Sequence, residues 1–189
     1  HGAAYVGVPS FEPTNMFKII EAERCTFLSG VPTSYLAMLD HPARVDYDLS
    51  TLRAGTCGGA DCNPEVLRRC AEAFPMPGLA QVYGQTEGAT LFVCPWADDP
   101  QRWDTAGTAL PGYELRIVNP ETLAPMPMGE IGEIQARGPM VMAGYYKRPE
   151  DTAETIVDGW LRSGDMGYLR PDGRLVIAGG RLRDMIIRG

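Results

Sequence analysis

The stretch Val82-Tyr83-Gly84-Gln85-Thr86-Glu87-Gly88 brings an aromatic ring, a hydroxyl and a carboxylate into a few consecutive positions just past an apolar run. Tyr83 can stack on a flat base, Thr86 can bond phosphate oxygens, and Glu87 is a hard oxygen ligand suited to Mg²⁺. The same residues also suit an ordinary turn with a solvated Glu. A second run, Leu52 to Cys57, leads into Gly58 and Gly59. Both glycine-containing junctions fall where strands end, and in open α/β sheets ligands lie at the carboxyl ends of strands.

Those positions depend on the elements around them. From residue 1 to about 95, short apolar runs alternate with helical patterns, which implies a parallel sheet covered by helices. Thr14 is expected to cap a helix burying Phe17, Ile20 and Ile19, followed by a strand from Cys25 to Leu28. Pro32 opens a helix through Tyr35, Leu36 and Leu39. Asn63 as cap and Pro64 as first residue begin another through Val66, Leu67 and Cys70, and a strand from Leu79 reaches Tyr83. After about residue 100 the pattern changes to strands broken by Pro and Gly: Tyr113 to Val118, Glu130 to Arg137, Tyr168 to Leu169, and Arg174 to Ile177. Only Pro149 to Val157 reads as helix there. The linker falls near Cys94 to Asp104.

The balance of 24 acidic against 17 basic residues, a net charge of −7, disfavours binding to phosphate backbones, so no nucleic-acid partner is expected. No apolar run reaches the ~18 to 20 residues of a membrane span, and no signal-like segment opens the chain, so a soluble, cytoplasmic protein is expected. Cys25, Cys57, Cys62, Cys70 and Cys94 are odd in number and form no closely spaced couples, which argues against a disulfide framework or zinc ribbon. Trp160, Tyr145 and Tyr146 read as packing residues, and Met126, Met128, Met140 and Met142 as gap fillers. His41 receives no catalytic role.

Further stretches fall in one familiar order. They are Gly58-Gly59-Ala60, Gly129-Glu130-Ile131-Gly132-Glu133-Ile134, Gly138-Pro139-Met140-Val141-Met142-Ala143-Gly144-Tyr145-Tyr146, Gly159-Trp160-Leu161-Arg162-Ser163-Gly164-Asp165, and Gly180 to Gly189. Together with residues 82–88 they resemble the adenylate-forming superfamily: acyl-CoA synthetases, adenylation domains of peptide synthetases, and luciferases. The resemblance covers nearly the whole chain. It implies a parallel-sheet α/β subdomain over residues 1–99, a smaller β-rich distorted barrel over 100–183, and a hinge with the start of a C-terminal lid at 184–189.

The resemblance also assigns roles. Gly58, Gly59 and Ala60 match the segment along adenine, Tyr83 the aromatic beside it, and Thr86 the hydroxyl on the ATP or AMP phosphate. Glu87 matches the carboxylate that binds Mg²⁺, while Gly84 and Gln85 line the boundary between nucleotide and acyl group. Asp165 matches the acid that bonds the ribose hydroxyls, a task suited to a carboxylate with two acceptor oxygens. Ser163 stands where Thr is commoner. Arg181 matches a ribose-contacting arginine and Asp184 the hinge residue. Val31 and Thr56 match stretches bordering the acyl pocket.

The implied reaction joins a carboxylic acid to ATP as acyl-AMP and then to coenzyme A. Asp184-Met185-Ile186-Ile187-Arg188-Gly189 and Ser29-Gly30-Val31-Pro32-Thr33 favour a fatty-acid CoA ligase; alternatives are loading of a carrier protein or a non-catalytic nucleotide-binding module. The phosphate-loop lysine and the lid lysine of such enzymes have no counterpart between His1 and Gly189. The chain therefore reads as an internal piece of a longer enzyme, expected to hold nucleotide weakly and to be inactive alone.

Overall fold

A computed structural model of the protein describes residues 2–60, 62–88, 93–95 and 99–179. Arg181 and Asp184, assigned above to ribose and hinge, lie outside the described residues. Each of the four α-helices among the described residues starts at a proline, whose fixed φ suits the first turn and whose missing N–H would have no partner there: α1 (Pro13–Glu23), α2 (Pro32–Leu39), α3 (Pro64–Ala73) and α4 (Pro149–Thr155). For α3 the cap is Asn63, whose Oδ1 accepts from Glu65 N at 2.9 Å. For α1 the cap is Glu12 rather than Thr14. Its two carboxylate oxygens accept from Thr14 N at 2.9 Å and Asn15 N at 2.7 Å, satisfying two amides that lack helical partners.

In the first part of the chain, β1 (Phe27–Gly30), β2 (Ala54–Cys57) and β3 (Gly78–Gln81) form a parallel sheet in that order. The helices cover it because their apolar faces meet there. Phe17 and Ile20 of α1, Tyr35 and Met38 of α2, and Leu67 and Cys70 of α3 join Leu52, Phe74 and Leu79 in one core. Ile19, expected inside, is only partly buried, as are Leu36 and Leu39 of α2. Each fully buried Leu or Phe in such a core stabilises by about 1.5–3 kcal/mol.

A short antiparallel pair follows, β4 (Val93–Cys94) with β5 (Thr108–Ala109). The next strands, β6 (Glu114–Val118), β7 (Gly132–Arg137), β8 (Ile156–Val157), β9 (Trp160–Leu169) and β10 (Leu175–Gly179), make a curled antiparallel sheet ordered β10-β9-β7-β6, with β8 pairing β9. Ile117, Ile134, Ala136, Leu161 and Leu175 form its core. Two expectations change here. The helix stops at Thr155, and Ile156 and Val157 form a strand that turns at Asp158 and Gly159, both at positive φ, into β9. That strand is far longer than Tyr168 to Leu169, because Gly164 bends it without reversing it.

The segment from Asp99 to Gly107 touches both sheets. Trp103 Nε1 donates to Leu79 O at 2.8 Å, and Arg174 meets Asp99 at 2.9 Å. Ala106 N donates to Leu175 O at 2.9 Å. The large aromatics divide in role. Trp160 packs against two guanidiniums, with Arg116 at 4.2 Å and Arg137 at 4.6 Å from its ring centroid, whereas Tyr146 is 86% exposed and packs no core. Met126 supports the second core, but Met128 and Met140 are exposed and fill no gap. Among the described residues no helix is long and apolar enough to cross a membrane.

Candidate active site

The three parallel strands end side by side. Gly58 N donates to Gly30 O at 3.3 Å, and Val82 N donates to Cys57 O at 2.9 Å. A Cβ on Gly58 would sit 2.7 Å from Val82 O, so the close approach of two strand ends already requires glycine there. Gly59 follows at φ +79°, turning the chain away with Ala60 exposed. Beneath this turn Cys57 and Cys62 are buried, their sulfurs 3.4 Å apart. The hydrogen bond with Cys62, and burial after it, push the Cys57 thiol well up, which marks it as inert packing rather than a nucleophile.

Past β3 the chain runs into a single 3₁₀ turn, Thr86–Gly88. Its position is set by groups from the second part of the chain, on loops beside β6 and β7. Met142 N donates to Glu87 O at 2.7 Å, Tyr113 Oη donates to Gly88 O at 2.8 Å, and Tyr145 Oη donates to Glu87 Oε1 at 2.8 Å. Upstream, Tyr83 is fixed by paired backbone bonds with Val93 at 3.2 and 3.1 Å. Its phenol donates to Asp165 Oδ2 at 2.8 Å, joining the loop past β3 to β9. Two tyrosines thus join the first part of the chain to the second, and each ends on a carboxylate: Tyr83 on Asp165, Tyr145 on Glu87. The second contact carries no periodic or motif signal; Tyr145 lies 58 positions from Glu87 in sequence and only the fold brings them together.

Asp165 projects from an irregular part of β9. Pairing with β7 runs through Glu133 opposite Met166 and then Gln135 opposite Arg162, so Ile134 alone faces Ser163, Gly164 and Asp165. Such a bulge re-aims a side chain. Gly164 adopts φ +73°, and three hydrogen bonds hold the bulge: Ser163 Oγ donates to Ile134 O, Asp165 N donates to Ser163 Oγ at 3.1 Å, and Gly164 N donates to Glu133 Oε1 at 3.2 Å. Ser163 does here what a Thr hydroxyl would do.

The remaining sequence-derived candidates scatter more. Thr86 is exposed beside Glu87. Gln85 Oε1 is buried and has no hydrogen-bond partner among the described residues. Thr56 Oγ1 shares a hydrogen bond with Ser29 Oγ at 2.9 Å, and Val31 is 42% exposed at the head of α2. An apolar hollow lined by Phe11, Met16, Leu28, Ser29, Tyr35 and Met38 lies nearby, with neither Val31 nor Thr56 in its wall. Gly84 links Tyr83 to Gln85.

For Mg²⁺ the donor set fits one mode and excludes another. Among the described residues no group of three or more His, Cys, Asp or Glu forms a metal cage. Glu87 accepts from Tyr145 through Oε1 and, among those residues, keeps Oε2 unengaged. One carboxylate with a spare oxygen suits an ion that is held mainly by substrate phosphates and water.

Comparisons with known proteins bear on the whole arrangement. Across residues 1–146 the sequence matches the AMP-binding enzyme family. It is 43% identical over 191 aligned positions to YngI of Bacillus subtilis (strain 168), covering 100% of this chain and 35% of that protein. It is 40% identical over 183 positions to a feruloyl-CoA synthase of Amycolatopsis sp, covering 95% of this chain and 36% of that protein. The anthranilate CoA ligase AuaEII, solved in complex with anthranoyl-AMP, superposes with a TM-score of 0.89 at 27% identity over 98% of this chain and 36% of its own. The chain thus spans about a third of the length of the curated relatives it matches. With its parallel sheet and curled antiparallel sheet arranged as in those enzymes, the chain belongs to the AMP-binding enzyme family.

Proposed function

We propose that the protein carrying this chain is an AMP-forming acid–thiol ligase, which activates a carboxylic acid with ATP and transfers it to coenzyme A. The observation that carries the reading is the contact of Tyr83 with Asp165 at 2.8 Å, at the point where the glycine turn of β2 meets the end of β3. A nucleotide lying there has its adenine against Gly58, Gly59, Ala60 and the Tyr83 ring, and its ribose hydroxyls at Asp165. A carboxylate has two oxygens and about four acceptor sites, so bonds from Tyr83 and from ribose hydroxyls are chemically compatible on one Asp. Thr86 then meets the phosphates, with Gly84 and Gln85 between nucleotide and acid. Val31 and Thr56 border the acid, and Arg181 and Asp184 complete the ribose contact and the hinge. In this division residues 1–99 hold base, phosphate and acid, and 100–183 hold the ribose.

In the first step an oxygen of the acid attacks the α-phosphorus of ATP and pyrophosphate leaves; in the second, the thiol of coenzyme A attacks the acyl carbon and AMP leaves. Both nucleophiles come from substrates. The chain therefore contributes orientation and charge stabilisation, the two effects that dominate phosphoryl and acyl transfer. Glu87 would hold Mg²⁺, which when bound neutralises charge on the phosphate oxygens. Tyr145 keeps the Glu87 carboxylate turned toward that place.

The acid is a fatty or an aromatic one; the fatty-acyl look of residues 29–33 supports the first and the likeness to a feruloyl-CoA synthase the second. A cytoplasmic location accords with ATP and coenzyme A as co-substrates. The test is ATP–pyrophosphate exchange by the full-length protein across a panel of fatty, dicarboxylic and aromatic acids. Exchange that depends on one class of acid is expected, whereas no exchange with any acid would overturn the proposal. Glu87→Gln in that protein should slow exchange by about a hundredfold.

A further inference from the structure

Asp165 does not reach its position unaided. A regular strand would alternate its side chains between the two faces, but here three residues of β9 oppose one of β7, and the amide of Gly164 is left without a ladder partner. That amide is taken by Glu133 Oε1 at 3.2 Å. Glu133 is only 2% exposed, and its carboxylate also binds the guanidinium of Arg162 through Nε at 3.1 Å and Nη2 at 3.0 Å. Arg162 Nη2 is shared with Pro120 O at 3.1 Å, which ties the guanidinium to the turn after β6. One buried carboxylate thus grips the residue that opens the bulge and the glycine that immediately precedes Asp165.

Stability alone does not call for this arrangement, since a buried ion pair can often be replaced by apolar side chains of similar volume with no loss. Apolar side chains in place of both Glu133 and Arg162 could fill the same volume but would leave the Gly164 amide without its side-chain acceptor and the bulge free to relax. We propose that Glu133 is a positioning residue: acting through Arg162 and the Gly164 amide, it holds the bulge in the shape that aims Asp165 at the ribose of the nucleotide. Glu133 itself touches no substrate. The inference rests on the ribose role proposed above for Asp165.

The two can be separated by calorimetric titration of the full-length protein with ATP and with 2′-deoxy-ATP. The unmodified protein should prefer ATP by about tenfold, the worth of one charge-assisted hydrogen bond. Asp165→Asn should bring the ratio close to one; if it leaves the preference intact, the ribose reading fails and the inference with it. Glu133→Gln, verified as folded by circular dichroism, should reduce the preference to about threefold or less. A role in stability alone would leave that ratio unchanged, and an unchanged ratio in folded Glu133→Gln overturns the proposal while sparing the ribose reading. If Glu133→Gln does not fold, Gly164→Ala decides: among the described residues no atom beyond its chain neighbours lies within 4 Å of the added methyl, yet φ +73° strains the bulge without touching the ion pair. It too should lower the ratio, and an undiminished preference contradicts the proposal.

Discussion

The two sheets aim their functional groups by different physics. In the parallel sheet, strand ends and helices are held by an apolar core, and the candidate residues Gly58, Tyr83 and Glu87 sit on loops beyond it. In the antiparallel sheet, Asp165 sits within a strand, and a bulge braced by Glu133, Arg162 and Ser163 sets its direction. A loop can follow whatever it touches, which is why residues 86–88 take their position from Met142, Tyr113 and Tyr145 of the other half. A strand residue is fixed by its own ladder, and its direction changes only if the ladder is locally broken. The comparison teaches that damage to the first sheet should appear as lost stability and damage to the second as lost discrimination.

Four substitutions press on that contrast. Phe74→Ala removes a fully buried ring from the first core and should cost about 3–5 kcal/mol in chemical denaturation, with the ATP to 2′-deoxy-ATP ratio unchanged in the folded fraction. A changed ratio would mean that the two halves are not aimed independently. Glu133→Gln should cost about 2–3 kcal/mol, because Arg162 is left inadequately paired, and here the ratio should move as well.

Ser163→Ala strips both the bond to Ile134 O and the acceptor for Asp165 N from a side chain that is almost wholly buried. About 1–2 kcal/mol of stability should be lost, with a smaller fall in ribose discrimination than in Glu133→Gln. The mildest change, Tyr145→Phe, deletes one phenol bond to an accessible carboxylate. It should leave the denaturation midpoint nearly fixed and raise the Mg²⁺ concentration for half-maximal exchange by roughly threefold to fivefold, about 1 kcal/mol. An unaltered Mg²⁺ requirement would remove Tyr145 from the account of Glu87.

What the sequence discloses follows the same division. Helix α3 is legible from Asn63 and Pro64 because a cap and a first-turn proline are local facts. The cap of α1 is misread because Thr14 has the commoner capping side chain, while Glu12, with two acceptor oxygens ahead of Pro13, reaches two amides. Strand β9 is misread because Gly164 signals a turn, and only the pairing with β7 makes its positive φ a bulge. The residues 82–88 and Asp165 are visible as motifs, but nothing local says that Tyr83 ends on Asp165, or that Glu133, within the expected strand from Glu130 to Arg137, is buried on an arginine. Those are tertiary facts, carried by contacts between residues 29 or more positions apart.

The central claim, that the two sheets meet around one nucleotide, is tested most directly by a crystal structure of the full-length protein with AMP. The account predicts adenine against Tyr83 and the Gly58-Gly59-Ala60 turn, with both ribose hydroxyls within hydrogen-bond distance of Asp165. AMP bound elsewhere, or bound here with its ribose turned away from Asp165, would contradict it.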